Sequence, residues 1–308
     1  MSGLAQLSDC GYGKINVRLV KVERNGSEHN IKDINVAIQV FGHFEAAYSE
    51  GDNRFILPTD TMKNTVYVLA RQRPLGEIED FGMRLSNHFL TRNSYLARVR
   101  VSISEKLWQR IGKDPKSRDS GFQMLGQEAR TAVIDSTRDK ISIQAGITGL
   151  DVLKTSRSAF ENFLHDEYTT LKETKDRLFS SSIDAEWMCS SSAQDFGIVW
   201  RTVRGTLLNS FAAHDSPSVQ HTLYVMGEAV LQQLQEITEI RLSMSNRHCL
   251  LADLSQFNLV NPNEVFIPID EPSGIIEATL KRKAACEAGK AVIEGENPTH
   301  NKEQVAWP

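Results

Sequence analysis

The pattern of apolar residues predicts an α+β chain built from antiparallel sheets, each with a pair of helices on one face. Two observations support this. Runs with the two-residue period of a strand flank runs with the 3.6-residue period of a helix, and that order occurs twice along the chain. Short turn signals separate neighbouring strand runs, as in hairpins. In residues 14–22, Ile15, Val17 and Leu19 alternate with Asn16 and Arg18. In residues 34–40, Ile34, Val36, Ile38 and Val40 share one face, and Asn25-Gly26 marks a turn between the two runs. After Thr59-Asp60 the period becomes helical and breaks at Pro74-Leu75-Gly76. From Glu77 to Arg92, Ile78, Phe81, Leu85, Phe89 and Leu90 form a second helical stripe. Alternation returns in Tyr95, Ala97, Val99, Val101 and Ile103. A polar loop from Gly112 to Gly121 then leads to a strand ending near Val133 and Ile134.

The second half repeats the order strand, strand, helix, helix, strand, strand. Residues 141–147 and 150–154 predict strands around a Thr148-Gly149 turn, and Ile183, Ala185, Trp187 and Cys189 alternate. Phe196 to Phe211 is expected to be helical. A further helix is expected to open at Ser216-Pro217, with the stripe Val219, Leu223, Met226, Val230 and Leu234. Strand runs follow at Ile237 to Met244, Cys249 to Leu254 and Ile275 to Leu280. The repeat is one of element order rather than residue identity. The expected division is 12–135 for the first half, 139–282 for the second and 283–308 for a polar C-terminal extension. The sheet face without helices needs a cover, which a second subunit could supply.

Composition narrows the function classes. At 308 residues, with 40% hydrophobic and 24% charged side chains, the chain has the make-up of a globular protein large enough to bury a core without staples. A net charge of −4 gives no basis for a nucleic-acid partner. No apolar run reaches the roughly 18 residues of a membrane-spanning helix, so no membrane partner is expected. Met1 to Gly13 lacks a secretory pattern, and the final Ala306-Trp307-Pro308 is not a peroxisomal tripeptide, so a cytoplasmic location is expected. The four cysteines, Cys10, Cys189, Cys249 and Cys286, show no CxxC spacing and are expected to be buried, reduced thiols. The eight histidines show no HxH or HxxxH spacing, so no metal site is expected.

Candidate site residues have ordinary explanations one at a time. Ser216-Pro217 reads as a hydroxyl N-cap followed by proline at the first helical position. It places Val219 and Gln220 in the first turn, where free backbone N–H groups favour an anion. Gln220 adds an amide that can read a donor–acceptor edge. Thr59 and Asp60 open the first long helix and bring a hydroxyl and a carboxylate to a sheet end. Lys14 reads as a strand lysine, Arg177 as a surface arginine, and His248 as a hydrogen-bonded histidine heading a strand.

Taken together, the motifs point further. The segments are YGK at 12–14, TDTMKNTVY at 59–67, GLDVLKT at 149–155, FLHDEYTTLKETKDR at 163–177, SVQHTLYVMG at 218–227, SNRHCL at 245–250, and NPNEVF with GIIEATL within 261–280. In this order they resemble the urate oxidase (uricase) family from Tyr12 to about Leu280, and bacterial members more than peroxisomal ones. Arg247 and Lys175 depart from common family residues at positions not expected to touch substrate. The resemblance implies the tunnelling fold (T-fold): two halves per chain, closed into barrels on assembly into a homotetramer, with active sites at subunit interfaces. It implies a proton-relay triad of Lys14, Thr59 and His248. Arg177 and Gln220 would grip the flat purine anion, Phe160 would stack on it, and the Val219 backbone would hydrogen-bond it. Asp60 would contact the distal edge from a neighbouring subunit, and Asn246 with Thr59 would hold dioxygen or water above the ring. The implied reaction converts urate, O2 and water to 5-hydroxyisourate and H2O2 with no cofactor. The chain has no GxGxxG motif and no clustered His/Cys set, so the urate anion itself would be the reductant. A tunnelling-fold enzyme of the pterin or GTP cyclohydrolase type would need clustered His and Cys. A non-catalytic purine binder would not need Lys14, Thr59 and His248.

Overall fold

A computed structural model describes residues 7–26, 28–111 and 120–283. The C-terminal extension beyond Lys283, Cys286 and most of the 112–121 loop lie outside the described residues. The element order is β1 (Gly11–Asn25), β2 (Glu28–Gly42), α1 (Glu45–Ser49), α2 (Thr59–Gln72), α3 (Ile78–Arg92), β3 (Leu96–Arg110) and β4 (Phe122–Ser136). Then follow β5 (Ile141–Lys154), β6 (Phe179–Cys189), α4 (Phe196–Ala213), α5 (Val219–Gln233), β7 (Ile237–Leu251) and β8 (Phe266–Lys281). The expected order of strands and long helices is present in both halves; the one-turn α1 had no periodic signal. No described helix is long and apolar enough to cross a membrane.

All eight strands form one antiparallel sheet in sequence order, because β4 pairs with β5 across the junction of the halves. The sheet does not close on itself, so β1 and β8 are free edges. The central strands alternate inward and outward, and the inward side chains meet the helices. Ile34, Val36, Ile38 and Val40 of β2 pack with Met62 and Val66 of α2 and Phe81 and Leu85 of α3. In the second half, Ile183, Ala185 and Trp187 of β6 pack with Val203 and Leu207 of α4 and Leu223 and Met226 of α5. The helical stripes read from the sequence in α3 and α5 are buried along their whole length.

The structure corrects several local expectations. Residues 141–147 and 150–154 belong to a single strand. Gly149, at φ 68°, makes a bulge where a turn was expected, and its N–H donates to the Asp184 carboxylate at 2.8 Å. The runs at Ile237–Met244 and Cys249–Leu251 likewise join in β7, through a register shift between Asn246 and His248. Ala97 is exposed, not inward, because the β2–β3 register shifts beside it, and Leu96 takes the buried place. The described cysteines are free, but half-buried rather than buried. Burial pushes the Cys189 thiol up to about 12.

A polar cluster joins the halves. Glu79 of α3 is fully buried, and its carboxylate accepts from Arg130 of β4 at 2.6 Å. Arg130 also donates to Glu77, and its guanidinium lies 5.6 Å from the ring centroid of Trp200 on α4. Burial raises the pKa of Glu79 and Arg130 opposes that rise, so the arginine is what permits a carboxylate there. Arg130→Met should therefore cost about 3–5 kcal/mol in chemical denaturation at neutral pH. Adding Glu79→Gln should recover much of that loss. Because the folded-state pKa of Glu79 is raised, its protonated form favours the fold, and the Arg130→Met deficit should shrink as pH falls.

Candidate active site

The sequence-predicted residues assemble into two groups at different places on the sheet. The first lies where β1 meets the start of α2. Gly13 lets β1 press against β2, since a Cβ there would run into the Ile38 carbonyl oxygen. This fixes Lys14 opposite Ile38, just before a bulge at which Asn16 takes φ 57°. Tyr12 accepts a hydrogen bond from the Leu57 N–H at 2.7 Å, which holds the approach to α2 against β1. Thr59 and Asp60 are the first two residues of α2, and Pro58 precedes them without a side-chain cap. The Thr59 hydroxyl makes no hydrogen bond to the described residues and is available to a ligand. Asp60 is exposed and accepts from Lys63 at 2.5 Å and Asn64 at 2.9 Å. Lys63 first, and Lys14 to a lesser degree, hold the Asp60 carboxyl below its ordinary pKa, so Lys14 and Asp60 share one electrostatic neighbourhood.

The second group gathers around the start of α5. The chain between β5 and β6 returns on itself, with Phe160 and Thr174 exchanging backbone bonds at 2.7 and 3.0 Å. The same loop pairs with the α4–α5 connection, where Ala159 N–H donates to the Ser216 carbonyl at 2.7 Å. Ser158 N–H donates to the Asp176 carboxylate at 3.2 Å, next to Arg177. Arg177 is half-buried, with its guanidinium carbon 5.3 Å from the Phe160 ring centroid. Its Nε is buried without a hydrogen-bond partner, and no carboxylate pairs with it among the described residues. Burial draws its pKa below the ordinary arginine value, and the group remains cationic. Phe163 stacks on Phe160 at 4.8 Å.

Val219 and Gln220 open α5, as expected, but the cap is Ser218 and not Ser216. Ser218 Oγ accepts from His221 N–H at 3.1 Å. Ser216 is held extended by its pairing with the 157–159 segment, so the helix starts two residues later than Ser-Pro suggested. Val219 is buried, while Gln220 is exposed at the helix end with the free N–H groups. Asn246 sits opposite Ser181, and His248 follows beyond the register shift on the same strand. The side-chain alternation puts Asn246 on the face that carries Phe179 and Ser181. Six strand-to-strand steps separate β1 from β7, on the order of 29 Å along the sheet.

Sequence reasoning missed Tyr12 as a support for α2, Asp176 as an anchor beside Arg177, and Ser218 as the cap. Tyr12 and Asp176 lie inside the quoted motifs, and Ser218 carries the ordinary cap signature directly before Val219, the first residue of the stripe. Among the described residues, no three His, Cys, Asp or Glu side chains come together as a metal-ligand set.

Comparison with known proteins identifies the family. The uricase family profile matches residues 10–135 and 143–277. The chain belongs to the uricase family. It is 43% identical over 274 residues to a uricase of Arthrobacter globiformis, covering 89% of each chain. It is 37% identical over 280 residues to a uricase of Oryctolagus cuniculus, covering 89% of this chain and 93% of that one. The crystal structure of the Arthrobacter globiformis uricase superposes with a TM-score of 0.86 at 42% identity, covering 94% of this chain and 98% of that one. A Bacillus sp. TB-90 urate oxidase shares the fold at 22% identity and a TM-score of 0.78, with 89% of this chain and 100% of that chain covered. The higher identity to the Arthrobacter relative than to the animal one agrees with a bacterial-type uricase, and the tunnelling fold is the fold of these relatives.

Ser218→Ala should lower stability by about 1 kcal/mol through loss of the α5 cap, read as a fall in the thermal midpoint. Ser218→Asp should retain most of it.

Proposed function

We propose that this uricase-family chain oxidises urate with molecular oxygen and water to 5-hydroxyisourate and H2O2, using no cofactor. The observation that carries the reading is Arg177, a half-buried guanidinium without a carboxylate partner, set over Phe160 in the loop that pairs with the connection leading into α5. A planar fork of donors suits the carbonyl and nitrogen edge of a purine anion, and the Gln220 amide offers a complementary pair. Phe160 supplies an aromatic face, and the Val219 N–H supplies a further donor at a helix end that favours negative charge.

The chemistry falls to Lys14 and Thr59 of the other group, together with His248 and Asn246. Lys14 draws a proton from the bound anion through the Thr59 hydroxyl, and His248 orients or relays it. The electron-rich dianion then reduces O2, which rests with water between Thr59 and Asn246. A hydroperoxide forms at C5 of the ring. Water replaces it there and H2O2 leaves, so the two electrons lost by urate are those gained by oxygen.

Since one chain holds Lys14, Thr59 and Asp60 far along the sheet from Arg177 and Gln220, the complete site forms between chains. The free edges β1 and β8 support this reading, with barrels closed by further copies in a homotetramer. Exposed Ile15, Val20 and Ile275 on those edge strands fit the same arrangement. Each half, 12–135 and 139–282, then acts as one tunnelling-fold unit, followed by an extension from 283. A cytoplasmic location belongs to the same proposal, supported by the likeness to a bacterial relative.

Purified protein given urate and oxygen should consume urate and yield peroxide in equal amounts, by absorbance and a peroxide assay. A correctly assembled protein that leaves urate unchanged would refute the proposal. Lys14→Met should reduce kcat by about a hundredfold or more while anaerobic urate binding stays within a few-fold of wild type. Arg177→Ala should weaken anaerobic urate binding by about 3 kcal/mol, on the order of a hundredfold.

A further inference from the structure

Two cations and a histidine pair lie behind the second group of site residues and take no part in the mechanism above. Lys154 ends β5 with only 8% of its surface exposed, and its ammonium donates to the His214 carbonyl at the end of α4. It also lies 5.8 Å from the Phe211 ring centroid. Arg157, at φ 59°, donates to the carbonyls of Ala212 at 2.7 Å and Ala213 at 3.2 Å, and pairs with Asp215 at 3.1 Å. Three successive carbonyls at the C-terminus of α4 are therefore held by two cations from the segment that leads to Phe160, where the helix dipole favours positive charge. In the other direction, Ser216 N–H donates to the Arg157 carbonyl at 2.9 Å, just before α5. The His214 and His221 rings stack at 5.1 Å, almost parallel at 6°, and so join the end of α4 to the residue after Gln220. His214 Nε2 is buried without a hydrogen-bond partner.

We propose that Lys154, Arg157 and the His214–His221 pair form a positioning clasp that sets the spacing between Phe160 with Arg177 on one side and Gln220 on the other, and thereby sets affinity for the purine anion. This rests on the urate reading above. The clasp touches neither substrate nor reacting atoms. It acts through the two backbone segments that carry the gripping residues, and none of its contacts reaches Lys14 or Thr59.

The arrangement also makes the grip sensitive to acid. Three charged or titratable groups act on His214: His221 from α5, Lys154 from β5, and Asp215 from the α4–α5 connection, which is itself paired with Arg157. The last turn of α4 adds no charge. Burial, then His221, then Lys154 hold the His214 pKa below its ordinary value, so a proton there opposes the assembled clasp. That opposition is absent well above the ordinary histidine pKa and grows as pH falls through it.

The test is urate binding to the assembled protein without oxygen, beside turnover with oxygen. Lys154→Met should raise the anaerobic Kd and KM by roughly tenfold, as expected for misplaced binding groups, while kcat at saturating urate stays within about twofold. Arg157→Gln, at an exposed position that leaves the core intact, should shift Kd the same way by a smaller factor, and it decides the matter if Lys154→Met does not assemble. His221→Gln should flatten the acid loss of affinity below about pH 6.5 when expressed as a ratio to wild type. Wild-type Kd in both Lys154→Met and Arg157→Gln, with only a lowered thermal midpoint, would overturn the clasp and leave the urate reading standing. A wild-type protein that does not bind urate would overturn the urate reading itself, and the clasp with it.

Discussion

The continuous pairing of β4 with β5 is the constraint on which the other features depend. It fuses two sheet-and-helix halves into one open sheet, fixes β1 and β8 as the outer edges, and sets the distance between the two groups of site residues. Lys14 and Thr59 belong to the first edge of that sheet. Arg177, Gln220, Asn246 and His248 belong to its other half. A chain built this way carries the parts of the proposed purine site in two places. Arg130 reinforces the junction by neutralising Glu79 in the interior and lying against Trp200 of the second half.

Each group is built on backbone constraints that its own sequence supplies. At the first, Gly13 allows the close approach of β1 and β2, and Tyr12 ties the start of α2 to that strand. At the second, a long loop without regular structure is held in place by its pairing with Ser216 and by Asp176. The proposed gripping residues Phe160, Arg177 and Gln220 therefore sit on segments bound to one another instead of on independent loops. The guanidinium of Arg177 is left without a carboxylate among the described residues, a costly arrangement in the absence of an anion and a suitable one in its presence.

Much of the fold was legible in the sequence because the core faces are strictly periodic. The stripes Ile78 to Leu90 and Val219 to Leu234, and the alternation Ile34 to Val40, are buried as their spacing required. Legibility failed where a long-range pairing overrode a local signal. Thr148-Gly149 has the residues of a turn, yet pairing with β4 and β6 on both sides keeps the strand running and leaves only a bulge. Ser216-Pro217 has the residues of a helix start, yet pairing with the 157–159 segment holds Ser216 extended and passes the cap to Ser218. The candidate site residues and their order along the chain were named through the family resemblance. Their division into two groups was not, because it depends on which strands become neighbours. The contacts of Lys154 and Arg157 with the end of α4 span more than fifty residues of chain, beyond the reach of any local pattern.

The central claim is that a working site takes Lys14 with Thr59 from one chain and Arg177 with Gln220 from another. Mixed oligomers test it most directly. Chains carrying Lys14→Met and chains carrying Arg177→Ala, each strongly impaired alone at urate near the wild-type KM, are unfolded together and reassembled in equal amounts. Complementation across chains predicts recovery of about a quarter of the wild-type sites, by random pairing of halves in a symmetric oligomer. Mixed oligomers that form but remain as inactive as either parent would show that both groups act within one chain, and would contradict the account.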